Sequence, residues 1–186
     1  MTLQTEILSF AGVAILITII PGLDTVIVLR SALSRGRGHA YATALGVSSG
    51  ALAWGVAAAV GASAVLAASE LAFTVLKVAG AAYMVWLGVS MIWSSRSAHG
   101  LVVATSEEPR SRWSSWRRGL MTNLLNPRVG VFYLATIPQF MAVGVSHLAM
   151  GVVLALVHDL IAMVWFTAVI VLAGRARRLF SGAGFT

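Results

Sequence analysis

The stretch Ile19-Ile20-Pro21-Gly22-Leu23-Asp24 interrupts an apolar run that extends from Ile7 to Leu29. A second apolar run, from Gly119 to Val143, is interrupted by Asn123-Leu124-Leu125-Asn126-Pro127-Arg128. Proline lacks a backbone donor and clashes with the preceding turn, so each helix must loosen there and leave polar backbone groups free. In hydrocarbon such groups are tolerated only where they face protein or a polar cavity. Paired breaks, one in each half of a membrane protein, are typical of a transporter's substrate site.

The composition indicates a membrane protein. Of 186 residues, 59% are hydrophobic and only 10% are charged, whereas a soluble domain carries about 25% charged residues. So few charges cannot cover a water-soluble surface. The net charge of +7 comes from short basic clusters between apolar runs, which is a topology signal rather than a nucleic-acid-binding face. The chain has no cysteine, and its motifs predict neither a metal nor a cofactor.

Five apolar stretches exceed the roughly 20 residues that a transmembrane helix needs. The sequence thus predicts an all-α, polytopic membrane protein with spans at Ile7–Leu29, Tyr41–Val65, Leu71–Trp93, Gly119–Val143 and Leu148–Leu172. The first is interpreted as a span because no basic region precedes it and no small-residue cleavage site follows it. The first loop, the third loop and the tail hold eleven of the thirteen basic residues. The positive-inside rule therefore predicts an outside N-terminus and a cytoplasmic C-terminus.

The predicted domain organisation is a single transmembrane transporter domain over residues 1–186. A front half (1–93) and a back half (119–186) are joined by a cytoplasmic loop (94–118). Halves with an odd number of spans and opposite orientation are typical of a 3+3 inverted repeat. The back half shows two spans, so a sixth helix is predicted to be missing. The bare packing surface that this would leave favours a homo-oligomer.

Two charged side chains lie beside the breaks. A carboxylate in a span costs roughly 2.5–3.5 kcal/mol on insertion scales, so Asp24 is expected to face a partner or water. It is interpreted as a coupling-ion or substrate-amine site, the alternative being a hydrated residue near the cytoplasmic face. Arg128 is predicted at similar depth, which favours an Asp24–Arg128 pair; the alternative is that Arg128 reaches the interface along its long stem.

The backbone of each break is also expected to bind substrate. A helix that restarts after a proline presents free N–H groups and a positive dipole end, which suit a carboxylate, and free carbonyls before the break suit an ammonium group. Together they would hold both ends of an amino-acid zwitterion in the lipid bilayer. Side-chain amides would add hydrogen bonds, so the predicted substrate-binding set here is Pro21, Gly22, Asn123, Asn126 and Pro127. The alternative is that proline is simply commoner in transmembrane helices.

The fifth predicted span carries His158 and Asp159 near its middle. Ionisable groups within a membrane are often functional, and proton relays are a common use of them. The alternative is an interhelical hydrogen bond. Elsewhere, Gly46 and Gly50 fit the pattern G-x-S-x-G of hydrolases, but they lie inside a continuous apolar span and are predicted to form a helix-packing face, as is Gly80.

Several motifs together resemble one transporter superfamily, that of lysine exporters and homoserine/threonine resistance proteins (LysE/RhtB). They are Pro21-Gly22-Leu23-Asp24, Gly36-Arg37-Gly38, the stretch from Lys77 to Gly88, Asn123 to Arg128, Phe132 and Ile137-Pro138-Gln139-Phe140. The resemblance implies a bacterial plasma-membrane exporter of amino acids or related small metabolites that is driven by the proton gradient and is not an enzyme. Two departures are Leu23, where the family usually has a second proline, and the sixth span.

Two other functions are compatible with the sequence. One is a truncated, non-transporting membrane protein or partner subunit, which the predicted lack of a sixth helix favours. The other is an intramembrane hydrolase that uses Asp24 and Asp159 as an acid pair. The hydrolase is disfavoured because neither aspartate lies in a Gly-x-Gly-Asp motif.

Overall fold

The computed structural model describes residues 2–95, 111–141 and 144–182. These residues form α-helices and one short 3-10 helix, Ile137–Phe140, with no strand among them. The α-helices are α1 (Leu3–Ile19), α2 (Leu23–Arg35), α3 (Arg37–Ala68), α4 (Glu70–Ser95), α5 (Arg112–Leu124), α6 (Pro127–Thr136) and α7 (His147–Gly182). The prediction of an all-α membrane protein is confirmed.

The first predicted span is broken, as the sequence predicts. Helices α1 and α2 are separated by Ile20, Pro21 and Gly22, and their axes are bent by 56°. Helix α1 begins after Thr2, whose side chain accepts a hydrogen bond from the backbone of Thr5. Helix α2 begins after Gly22, which has extended backbone and no side chain to serve as a cap. The break therefore lies between two well-formed helices.

The predicted first loop is wrong. Helix α2 extends to Arg35 and α3 begins at Arg37, so Gly36 alone connects them. Gly36 has φ of +83°, in the left-handed region that a residue without a Cβ adopts without strain. This single residue lets the chain turn between two helices that pack against each other. The basic residues assigned to the loop therefore lie at helix ends.

The fourth predicted span is also differently arranged. It consists of α5, α6 and the 3-10 helix, and α5 begins at Arg112 rather than Gly119. The last part of the predicted loop 94–118 is therefore helical. The physical reason is a buried row at a spacing of four residues, namely Ser115, Gly119 and Asn123, which packs against α3. Residues 96–110, with Arg96 and Arg110, and Val143 lie outside the described residues.

Close helix packing centres on α3, which contacts α2, α5 and α7. A Cβ on Gly46 would overlap the backbone of Trp116, and one on Gly119 would overlap the backbone of Thr43. Gly50 faces the side chain of Asn123, and Gly80 on α4 faces the backbone of Ala135. The predicted packing role of Gly46, Gly50 and Gly80 is confirmed, since none of these positions has room for a side chain without a shift.

Two described helices, α3 and α7, are long and apolar enough to cross a membrane, and the bent pair α1 and α2 would make a third span. Helix α4 covers the third predicted span with close to its predicted bounds. Much of its described apolar surface is exposed, including Leu71, Val75 and Val85, as expected for a helix in contact with lipid. The count of five spans, the orientation and the inverted repeat stay predictions.

Candidate functional site

A cavity lies between the two helix breaks, and its empty space of about 610 Å³ includes its opening to the surroundings. Helices α1 and α2 with their break form one side, α5 and α6 with theirs form another, and α3 and α7 close it. Seven of the nine predicted site residues line it: Gly22, Asp24, Asn123, Asn126, Arg128, His158 and Asp159. Pro21 and Pro127 are exposed and are not among its lining residues. The two prolines thus lie outside the lining, and substrate binding by all nine residues stays a prediction.

Asp24 lies in the first turn of α2, where the helix dipole favours a negative charge. Asn123 Nδ2, from α5, donates a hydrogen bond to Asp24 Oδ2 at 3.1 Å. The other oxygen of each side chain, Asp24 Oδ1 and Asn123 Oδ1, is buried and has no hydrogen-bond partner among the described residues. Asn123 is only 2% exposed, and the missing side chain of Gly50 provides its space.

Pro127 would leave the carbonyl of Asn123 unpaired, because that carbonyl lies four residues earlier and proline has no N–H. Here Asn126 N donates to the Asn123 carbonyl at 3.1 Å. The Asn126 side chain caps α6, since its Oδ1 accepts from Arg128 N at 3.1 Å. Val129 N is also bonded, to the carbonyl of Asn126. The expectation that this break offers free N–H groups to a ligand is therefore wrong, because the chain caps itself.

Pro21 leaves the carbonyl of Ile17 unpaired in the same way. Arg128 fills this position from the opposite break, with Nη2 donating to the Ile17 carbonyl at 3.4 Å. The guanidinium also passes close to Gly22, where an added Cβ would lie 3.0 Å from Nη1. The carbonyl that was expected to bind a substrate cation thus binds a cation of the protein.

The predicted pairing of Asp24 with Arg128 is supported by their positions. Both side chains line the same cavity and their charges attract each other. Their assigned hydrogen bonds include those to Asn123 and to Ile17. A carboxylate and a guanidinium therefore line one cavity, and each also binds another partner.

His158 and Asp159 reach the cavity from α7. His158 Nδ1 shares a hydrogen bond of 2.8 Å with the hydroxyl of Tyr133, and the direction depends on the histidine tautomer. Asp159 Oδ1 is buried without a hydrogen-bond partner among the described residues, and the Ser48 hydroxyl lies nearby. Sequence reasoning missed Tyr133 and Ser48. The available signal was a polar aromatic side chain and two adjacent serines inside otherwise apolar spans.

The rest of the lining is mostly apolar, with Val47, Ala51, Phe132 and Phe166 among its residues. An apolar wall with a few convergent polar groups is typical of a small-molecule site. Opposite charges at two places suit a small ligand that carries both an ammonium and a carboxylate group. Within the described ranges, no cluster of three or more His, Asp or Glu side chains could hold a metal ion.

Several known proteins named as membrane or efflux proteins are similar to this chain in sequence. The uncharacterized membrane protein YrhP of Bacillus subtilis is 29% identical over 97% of this chain and 89% of its own length. The homoserine/homoserine lactone efflux protein of Salmonella typhimurium is 31% identical over 90% of this chain and 80% of its own. The leucine efflux protein of Enterobacter sp. is 29% identical over 93% and 77%, respectively.

No solved structure matches the chain. The sequence profile of the LysE type translocators matches residues 7–184, which include both helix breaks and every lining residue of the cavity. The chain therefore belongs to the LysE type translocator family of membrane proteins.

Proposed function

We propose that this protein is a secondary transporter that exports amino acids or related small metabolites across the bacterial plasma membrane in exchange for protons. The family supports transport, and relatives named as efflux proteins for homoserine, leucine and threonine support this class of substrate. The observation that carries the proposal is the cavity between the two breaks, which brings Asp24 and Arg128 together with an apolar wall.

The cavity would hold the substrate by both ends. The ammonium group would lie at Asp24, whose Oδ1 receives no hydrogen bond from the part of the chain that the structure describes. The carboxylate would lie at the Arg128 guanidinium, which can bind a carboxylate with two parallel hydrogen bonds. The substrate side chain would face the apolar wall that includes Phe132 and Phe166. Exclusion of bulk water from such a site strengthens both charge interactions.

Proton coupling needs an ionisable group in contact with the transport path. Three acidic or imidazole side chains line the cavity, namely Asp24, His158 and Asp159. Asp24 lies on α2, and His158 and Asp159 lie on α7. Because all three line the cavity, each could gain or lose a proton when the cavity opens to one face of the membrane. This arrangement supports exchange of substrate for protons.

A counterflow assay tests the proposed function. Liposomes that contain the purified protein are loaded with unlabelled L-threonine, L-homoserine or L-leucine, and uptake of the same labelled amino acid is followed. We expect transient accumulation of at least one of them. Glu70→Gln, at an exposed position in the first turn of α4, serves as the matched control and should behave like the wild type. Absence of counterflow for all three would contradict the proposal and favour a non-transporting membrane protein or partner subunit.

A further inference from the structure

The pair formed by Asp24 and Asn123 has an incomplete set of hydrogen bonds. Asn123 Nδ2 donates to Asp24 Oδ2 at 3.1 Å, so the amide and the carboxyl group face each other. Their remaining oxygens, Asp24 Oδ1 and Asn123 Oδ1, are both buried acceptors without a donor among the described residues. The Asn126 amide faces Asp24 as well, yet it forms no hydrogen bond to Oδ1. Two buried acceptors without a donor, on side chains that already share one hydrogen bond, are costly.

A single proton on Asp24 removes this deficit. An ionised carboxylate is only an acceptor, whereas a carboxylic acid also has one O–H to donate. An acid and an amide can therefore exchange two hydrogen bonds, one from the amide N–H and one from the acid O–H. Both oxygens are buried in this conformation, so neither is exposed to bulk water.

The other ionisable groups near Asp24 do not take this role. They are Arg128 on α6, which reaches the Ile17 carbonyl, and His158 and Asp159 on α7. Helices α1, α3 and α5 contribute no ionisable side chain to the described lining. Asp159 also has an oxygen without a partner, but the Ser48 hydroxyl beside it can rotate to donate. For Asn123 Oδ1, no hydroxyl group among the described residues is found as a hydrogen-bond donor.

We propose that Asp24 and Asn123 form one donor-binding site, which is occupied alternately by the exchanged proton and by the ammonium group of the substrate. This inference rests on the proposed function. When the cavity opens, the O–H bond of Asp24 breaks and the proton passes to water at the open face. Substrate N–H groups then donate to Asp24 and Asn123. A neutral acid is replaced by a carboxylate with an ammonium group, so the net charge of the site is the same in both states.

Mutually exclusive occupation would make export an exchange. The substrate binds only after the proton has left, and the proton returns only after the substrate has been released. By linkage, substrate binding must release a proton and acid must weaken substrate binding. Asn123 is a positioning residue in this scheme, because it holds the Asp24 carboxyl and supplies the second acceptor.

Proton release on binding tests the inference. Full-length protein in detergent and weak buffer is titrated with L-threonine, L-homoserine and L-leucine over a pH series, while the dissociation constant and the bulk pH are measured. We expect up to about one proton released per amino acid bound, and a dissociation constant that rises by up to about tenfold per pH unit toward acid. The 2-hydroxy acid analogue of leucine, which has no ammonium group, should release no proton.

Matched variants locate the proton. Asp24→Asn should abolish proton release and the pH dependence of any remaining binding, whereas Glu70→Gln, which makes the same chemical change at an exposed position outside the cavity, should keep both. Wild-type binding that is independent of pH and releases no proton would overturn the inference but leave the proposed function standing. So would release that survives in Asp24→Asn or is lost in Glu70→Gln. If none of the three amino acids binds, the proposed function fails for them and the inference fails with it.

Discussion

The two helix breaks contain the same residue type but complete their hydrogen bonds in different ways. Each proline leaves the carbonyl four residues earlier without a partner. At the second break, the backbone of Asn126 binds that carbonyl and its side chain caps the next helix. At the first break, Gly22 offers no cap, and the carbonyl of Ile17 receives a hydrogen bond from Arg128 of the other break. The residue before each new helix therefore decides whether the free carbonyl is paired by the local backbone or by a distant side chain.

The charges at the breaks follow from the same difference. Asp24 and Arg128 each lie in the first turn of a helix that begins at a break. A carboxylate is stabilised by the positive end of the helix dipole, whereas a guanidinium is not. Asp24 stays beside its own helix end and binds Asn123, while Arg128 extends away from α6 to a carbonyl of α1. The first break thus receives a cation from the second.

Removal of the shared side chain should have the largest effect. Arg128→Leu leaves the Ile17 carbonyl without this donor and removes the proposed carboxylate site. A hydrogen bond to a charged group contributes about 1.5–3 kcal/mol, so counterflow should fall by roughly 10- to 100-fold. Arg128→Lys keeps the charge but not the two-pronged geometry, and should lose less. Counterflow in both variants at equal membrane abundance is the measurement, and a fully active Arg128→Leu would exclude a link between the breaks.

The addition of a side chain at Gly22, in the first break, should have the next largest effect. In Gly22→Ala the new Cβ would lie 3.0 Å from Arg128 Nη1, so the guanidinium must move by a few tenths of an ångström. A displacement of 1 Å can cost about 100-fold in rate, so a loss of roughly three- to tenfold in counterflow is expected.

The matched control for Gly22→Ala is Gly12→Ala on α1, where an added Cβ meets nothing within 4 Å. Its counterflow should match the wild type. Equal loss in the two variants would mean that helix α1 tolerates no change, and not that the guanidinium depends on Gly22.

Removal of the side-chain cap at the second break should affect stability more than transport. Asn126→Ala removes the side chain that caps α6, at a cost of about 1 kcal/mol. The apparent melting temperature, followed by tryptophan fluorescence in detergent, should fall by about 2–4 °C. Asn126→Ser retains a capping hydroxyl, so its melting temperature should fall less. A large loss of counterflow with unchanged melting temperature would show that the amide contacts the substrate instead.

Making the two breaks alike should have the smallest effect. Leu23 is the first residue of α2, as Pro127 is of α6. Proline is favoured at this position because the N–H it lacks has no partner within the helix. Gly22 is already extended, which suits a residue before proline. Leu23→Pro should therefore keep counterflow within about twofold of the wild type, and a strong loss would show that the Leu23 N–H has a partner in the transport cycle.

The sequence predicts the position of the breaks well because proline has a strict local effect. The burial of Gly46 and Gly50 was also predictable, since small residues four apart mark one face of a helix. The contact of Arg128 with Ile17 was not predictable, because it joins residues 111 positions apart across two helices. Likewise, the start of α5 at Arg112 depends on the close packing of Gly119 against Thr43 on α3, and a polar stretch alone does not reveal that partner.

The one-residue connection at Gly36 limits how the cavity can open. Because only Gly36 lies between α2 and α3, and α3 packs closely against the backbone of α5 at Gly46 and Gly119, we expect these three helices to move together. The chain would then bend most easily at the two proline breaks, where α1 joins α2 and α6 joins α5. Alternating access would rotate α1 and α6 about these breaks. Each rotation would then have to lengthen or break the hydrogen bond between Arg128 and the Ile17 carbonyl.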